Sequence, residues 1–224
     1  MKKTNPLNLL FPNRCLVCDT VIPDNRYFCK KCEGTLKPIM VKVCNRCGCP
    51  KTKCQCKRYV YHFRGAAAPF INEDNAKAAI YHYKMLPNIA AADYFSEYMA
   101  DQFLTQFPEI EIDCVTSVPT NVKKKFAACF DHTAHLAKKT AKHLKLPYKS
   151  LLFEKKKRKP QHTLNGGERF ENVKNVYKAK KNNYDNVLLI DDIKTTGATL
   201  DECARQLMLA GCENVYVLTA VIST

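Results

Sequence analysis

The chain has no apolar run approaching the roughly 20 residues that a membrane-spanning helix requires, so a helical membrane protein is not expected. No secretory leader is expected either. After Lys2 and Lys3 the apolar stretch reaches only from Pro6 to Pro12 and is interrupted by Asn8, too short for a secretory signal. A cytoplasmic protein is therefore expected. Acidic residues are few, 21 Asp plus Glu against 36 Lys plus Arg, which gives a formal charge of +15. Apolar residues are not scarce, and a share of 46% excludes wholesale disorder. The 224 residues suit one ordinary domain, or one of about 150 residues with a small appendage.

The charge is segregated along the chain. Residues 1–60 carry 13 basic and 3 acidic side chains, and residues 123–181 carry 18 and 4. The two intervening blocks, 61–122 and 182–224, are mildly acidic. Solvated lysine-rich faces would account for this pattern, and so would a polyanion partner whose phosphates displace counterions onto clustered cations. The tightest clusters are Lys123, Lys124 and Lys125, and Lys155, Lys156, Lys157, Arg158 and Lys159.

Cysteine is abundant where a disulfide framework is not expected. Nine of the 13 fall between positions 15 and 56. Cys15, Cys18, Cys29 and Cys32 form two C-x2-C knuckles, the pattern that directs four thiolates at one tetrahedral Zn2+. Cys44 and Cys47 begin a second set completed by Cys54 and Cys56, with Cys49 as a competing ligand and crosswise pairing between the sets left open. Gly48 suits the tight turn after Cys47. No Cys-Pro run or ferredoxin spacing favours an iron–sulfur cluster. With few large apolar residues of its own, this segment is expected to fold on metal. The predicted organisation is a Cys-rich zinc-binding module over 1–58 and a second domain over 59–224, in which 154–181 is a basic loop or hairpin.

In that second part, Tyr59 to Phe63 alternates like a strand and Ala66 to Pro69 reads as the start of a turn. The periodicity predicts helices over 73–86 and 88–106, a buried strand from Cys114 to Val118, and a helix from an Asp131 cap to Leu144. Strand–helix alternation indicates an α/β fold with a mainly parallel sheet flanked by helices. The densest signal runs from Val187 to Leu200. A buried strand Val187–Ile190 leads to Asp191 and Asp192, then to Lys194, Thr195, Thr196, Gly197, Ala198 and Thr199, and then to a helix with Leu200, Ala204, Leu207 and Met208 inward. A turn at a helix N-terminus offers free amides and hydroxyls to a phosphate dianion. A carboxylate pair would be repelled by that phosphate, so it suits vicinal hydroxyls on the same ligand. A phosphorylated ribose meets both demands.

This stretch resembles the signature of type I phosphoribosyltransferases, which bind phosphoribosyl pyrophosphate (PRPP). The resemblance implies that Asp191 and Asp192 contact the ribose hydroxyls and that residues 195–199 hold the 5′-phosphate. Lys194 stands where that family often has an apolar residue. It also implies Mg2+ with the pyrophosphate and a fold of the phosphoribosyltransferase type. A wider resemblance rests on the order of the cysteine knuckles, Ile80-Tyr-His-Tyr-Lys84, Val118-Pro119, Gln161, Leu164, Glu168-Arg169, Asn172-Val173 and the ribose-phosphate stretch. That order is similar to the ComF family of competence proteins. It implies single-stranded DNA handling during natural transformation, with DNA-uptake or recombination proteins as partners. Where that family usually shows Arg-Gly-Phe-Asn-Gln, this chain has Ala128-Cys129-Phe130-Asp131-His132. His132 is left as the replacement donor. Lys123 occupies the position of the pyrophosphate loop. The implied DNA contacts are Lys124, Lys125 and the 155–159 cluster, with Phe126, Phe130, Tyr148, Phe153, Phe170 and Tyr177 available for base stacking. A catalytic transferase of nucleotide metabolism is the alternative.

Overall fold

The computed structural model describes residues 12–23, 26–85, 89–120, 131–155 and 166–224. Its centre is a wholly parallel sheet. Strands β1 (Gly65–Ala67) and β2 (Phe70–Ile71) both pair with β7 (Asn214–Ile222), which pairs with β6 (Asn186–Lys194), which pairs with β3 (Cys114–Ser117). β1 and β2 lie end to end along β7, with Pro69, which has no N–H to give a ladder, between them. The Pro69 carbonyl instead accepts a hydrogen bond from Ile39 N–H at 2.8 Å. Beyond β3, Tyr148 bridges Val115 and extends that edge.

The strands are near-continuous apolar runs because both faces of the sheet are covered. One face, with Leu188, Ile190, Leu218 and Ala220, packs on α1 (Asp74–Met85), α2 (Ile89–Gln106) and α3 (His132–His143). The other, with Val187, Leu189, Val215 and Val217, packs on α5 (Ala198–Leu209) and on the antiparallel pair β4 (Leu152–Glu154) and β5 (Tyr177–Ala179). Helix α4 (Gly166–Val173) connects that pair within the basic segment.

The expected mainly parallel sheet with flanking helices, preceded by a Cys-rich module, is what the structure contains. Asp131 caps α3, its carboxylate accepting from Ala134 N–H at 3.1 Å. Three local expectations are corrected. Residues 59–63 form no strand, because Tyr61 and Phe63 alternate against the Cys-rich module and α5 rather than along a neighbouring strand. The turn expected from Ala66 falls within β1, since β7 offers a parallel partner as far as Leu218. Met208 lies on the exposed side of α5, whereas Leu200, Ala204 and Leu207 are buried.

Candidate functional site: an acid pair and turn beside a zinc ribbon

Two separate sulfur tetrads form, Cys15/Cys18/Cys29/Cys32 and Cys44/Cys47/Cys54/Cys56, each with its Sγ atoms within 4.8 Å of one another. Four thiolates about 2.3 Å from one tetrahedral Zn2+ stand about 3.8 Å apart. The Cys18–Cys29, Cys44–Cys56 and Cys47–Cys54 sulfurs are each 3.7 Å apart, so the donor set fits zinc. The geometry settles two open points. The sets do not pair crosswise, and Cys49 is not among the four, its thiol lying 3.9 Å from the Ser223 carbonyl. Gly48 adopts φ 79°, and a Cβ there would meet the Ala66 carbonyl at 2.9 Å. The second knuckle therefore lies directly on the sheet edge, where Ala66 N–H donates to the Asn45 carbonyl at 2.9 Å. The first tetrad belongs to the opposite side of the sheet. Its Tyr27 and Phe28 pack on Tyr94 of α2, and the Leu16 carbonyl contacts His82 of α1.

The acid pair sits inside β6 rather than beyond it. β7 continues alongside to Ile222, so the ladder carries β6 past the apolar run, with Asp191 opposite Thr219 and Lys194 opposite Ile222. Asp191 Oδ1 accepts from Asp192 N–H at 2.9 Å. Thr195, Thr196 and Gly197 form the turn, whereas Ala198 and Thr199 already belong to the first turn of α5. Gly197 holds φ 84°, the left-handed region where a Cβ costs energy, and turns the chain into the helix. The helix amides that lack an intrahelical acceptor then open at this turn.

The support for the turn comes from the Cys-rich module and the residues that directly follow it. Tyr61 donates its hydroxyl to the Thr196 carbonyl at 2.9 Å, and a Cβ on Gly197 would stand 3.0 Å from the Tyr61 ring. Lys194 does not face open solvent. It is buried, donates to Gln55 Oε1 at 2.9 Å and lies 5.3 Å from the Tyr61 ring centroid. Burial pushes its ammonium below the usual lysine value, and the negative charge of the neighbouring cysteine cluster opposes that shift. The Lys194 charge is thus directed at the second tetrad. Gln55 completes the link by donating to the Ser223 carbonyl at 3.1 Å. His62 pins the same junction, its backbone N–H and Nδ1 meeting the Asp201 carboxylate in the first turn of α5.

On the other flank of the acids, Lys84 Nζ stands 2.8 Å from Asp192 Oδ2. Tyr83 beside it is buried and donates to the His132 carbonyl at 2.6 Å, which fixes the end of α1 against the start of α3. Thr120 donates to Asp131 Oδ1 at 2.8 Å, tying the chain after β3 to the same corner. Burial pushes the His132 imidazole below its ordinary value, against the attraction of Asp192 and Asp131.

Lys84, Tyr61, Gln55 and His62 were not legible as site residues. Lys84 stands in the Ile80–Lys84 stretch, but its partner is far along the chain and no local spacing joins them. Among the expected DNA contacts, Lys155 is described and exposed, whereas Lys124, Lys125, Lys156, Lys157, Arg158 and Lys159 lie outside the described residues, as do the stacking candidates Phe126 and Phe130 and the pyrophosphate-loop candidate Lys123. Of the remaining stacking candidates, Phe153 is exposed, Phe170 stacks on Tyr59, and Tyr148 is half-buried with its hydroxyl 2.9 Å from Ser117 Oγ. Tyr177 is removed from the list, because it is a fully buried core residue.

Residues 6–61 match the double zinc ribbon domain, in agreement with the two tetrads. No curated protein matches the chain. Among solved structures, 62% of the chain aligns with glutamine PRPP amidotransferase from B. subtilis complexed with ADP and GMP, at 20% identity and a TM-score of 0.40, covering 30% of that chain. The allosteric regulatory enzyme of purine biosynthesis aligns over 62% at 18% identity and a TM-score of 0.41, again covering 30% of that chain. An adenine phosphoribosyltransferase aligns over 62% at 16% identity and a TM-score of 0.38, with 71% of it covered. The chain thus spans about 30% of the length of the first two proteins. Superpositions at these scores carry no functional weight of their own.

Proposed function

We propose that this zinc-ribbon protein binds PRPP and handles single-stranded DNA in the manner of the ComF family, in the cytoplasm during natural transformation. The observation that carries the reading is the sequence of chemistry along the end of β6. Two carboxylates suited to a vicinal diol are followed at once by a hydroxyl-lined turn with a left-handed glycine at the N-terminus of a twelve-residue helix. A 5-phosphorylated ribose presents those two groups in that order. Mg2+ enters as the companion of the diphosphate. Both tetrads are structural in this reading, since four sulfur ligands leave no open position. The DNA part rests on charge. Lys138, Lys142, Lys145, Lys149, Lys155, Lys180 and Lys181 are exposed on α3 and on the segments beyond edge strand β3. DNA-uptake or recombination proteins are the partners such a role requires.

Calorimetric titration with PRPP tests the site. The Asp191→Ala/Asp192→Ala protein is expected to lose binding and to keep its zinc content, and undiminished affinity would sink the assignment. Incubation with PRPP and a panel of nucleobases tests the catalytic alternative, because release of pyrophosphate would make the protein a transferase.

A further inference from the structure

From the ion pair at the edge of the candidate site we infer that Lys84 is the residue that recognises the diphosphate on the anomeric carbon, exchanging Asp192 for that group when ligand binds. The inference rests on the PRPP reading and deepens it. Two lysines come close to the acid pair, and their surroundings give them different tasks. Lys194 is buried, with its ammonium committed to Gln55 and the Tyr61 ring beside the second tetrad. Lys84 is partly exposed, at 36% of its side chain, and holds Asp192 at 2.8 Å.

The two flanks of the acid pair also differ. The turn at Thr196 and Gly197 leans on Tyr61. Lys84 leans, through Tyr83, on the start of α3, the corner to which Thr120 ties the chain leaving β3. A ribose with its 5-phosphate at the turn and its two hydroxyls on Asp191 and Asp192 carries its anomeric substituent away from the turn, towards that second corner. A diphosphate arriving there brings several negative charges beside two carboxylates and needs a cation. Among the described residues, Lys84 is the lysine placed to supply one. Its ammonium sits on a flexible four-carbon stem with three donors, so it can pass from one acceptor to the other. A neutral diol needs no ammonium, whereas an oxyanion gains a charge-assisted hydrogen bond from it. Lys84 therefore sets the preference for a sugar with an anomeric diphosphate over the same sugar without one.

The test compares PRPP with ribose 5-phosphate by calorimetry on the zinc-loaded full chain, as wild type, Lys84→Met and Lys84→Arg. Lys84→Met keeps the length and packing of the stem and removes the charge. It is expected to weaken PRPP about tenfold or more while leaving ribose 5-phosphate within about twofold. Lys84→Arg is expected to keep the preference for PRPP. Equal loss of both ligands in Lys84→Met would overturn the inference, since Lys84 would then only order Asp192. Unchanged PRPP affinity in Lys84→Met, or loss of the preference in Lys84→Arg, would overturn it equally. A wild-type protein that binds neither sugar phosphate would instead bring down the PRPP reading itself.

Discussion

Tyr61 shows how much a single side chain carries in this protein. Its ring supports Gly197 and its hydroxyl holds the Thr196 carbonyl, so the turn is fixed from beneath by one residue. Tyr61→Phe keeps the ring and deletes the hydrogen bond, at a cost of about 1 kcal/mol in stability. A several-fold weaker PRPP affinity is expected with it, read by calorimetry and denaturant melts on the same sample. Gly197→Ala is expected to be worse, because a Cβ adds left-handed strain of about 1–2 kcal/mol and meets the Tyr61 ring at 3.0 Å. Two histidines make stability depend on pH. Burial lowers both His132 and His135 from the ordinary value of 6.5, so the folded protein favours their neutral forms. As pH falls through about 6.5 the unfolded chain takes up protons first, and the stability present above that value is lost towards the depressed folded values. Melting at pH 7.5 and pH 5.5 is expected to show a smaller difference in a His132→Asn/His135→Asn protein than in the wild type.

At the scale of elements, the two halves of the double zinc ribbon have different neighbours. The first tetrad sits against α1 and α2, and the second meets β1, the end of β7 and the turn before α5. A tetrahedral zinc tetrathiolate carries a formal charge of about −2, and Lys194 is the buried cation placed to offset it. Lys194→Met leaves that charge unbalanced and leaves Gln55 Oε1 the longer contact from the Tyr61 hydroxyl at 3.5 Å. A loss on the order of 3 kcal/mol is expected, with faster zinc release to a chromogenic chelator. Metal analysis is expected to find two zinc ions per chain, and one in Cys54→Ser. PRPP affinity is expected to fall in Cys54→Ser but to change less in Cys18→Ser, since the second knuckle carries Gln55, which holds Lys194 and Ser223 beside the turn. Equal losses in the two variants would show that the ribbons act together.

The molecule as a whole has an uneven charge, and metal makes it more so. Eight cysteinates around two Zn2+ ions lower the formal +15 by four, all within the Cys-rich module. The strongest basic feature is then 123–181, which supplies α3 and the segments at the β3 edge of the sheet. Affinity for single-stranded DNA is expected to fall steeply and linearly with salt on logarithmic axes. Neutralising Lys149, Lys155 and Lys180 together should reduce that slope more than neutralising three lysines of the Cys-rich module. A flat salt dependence would reject a DNA-binding face.

The local rules were legible in the sequence. Cysteine spacing marked the eight sulfurs but left Cys49 and the pairing of the two sets to the structure, and apolar periodicity placed helices over 73–86, 88–106 and 131–144 and strands through Val115 and Leu189. The order of acids, hydroxyls and glycine marked the candidate site at Asp191–Thr199. Each of these is written in residues close together along the chain, where spacing alone sets geometry. Tertiary structure decided everything that joins distant segments. The strand at Gly65 exists because β7 offers it a partner, not because its own residues alternate. Lys194 faces a zinc knuckle rather than a phosphate because a buried ammonium must find compensating charge, and the second tetrad provides it. Lys84 reaches Asp192 only because α1 and β6 are brought to one corner by packing on α3, a closeness that no interval in the sequence encodes.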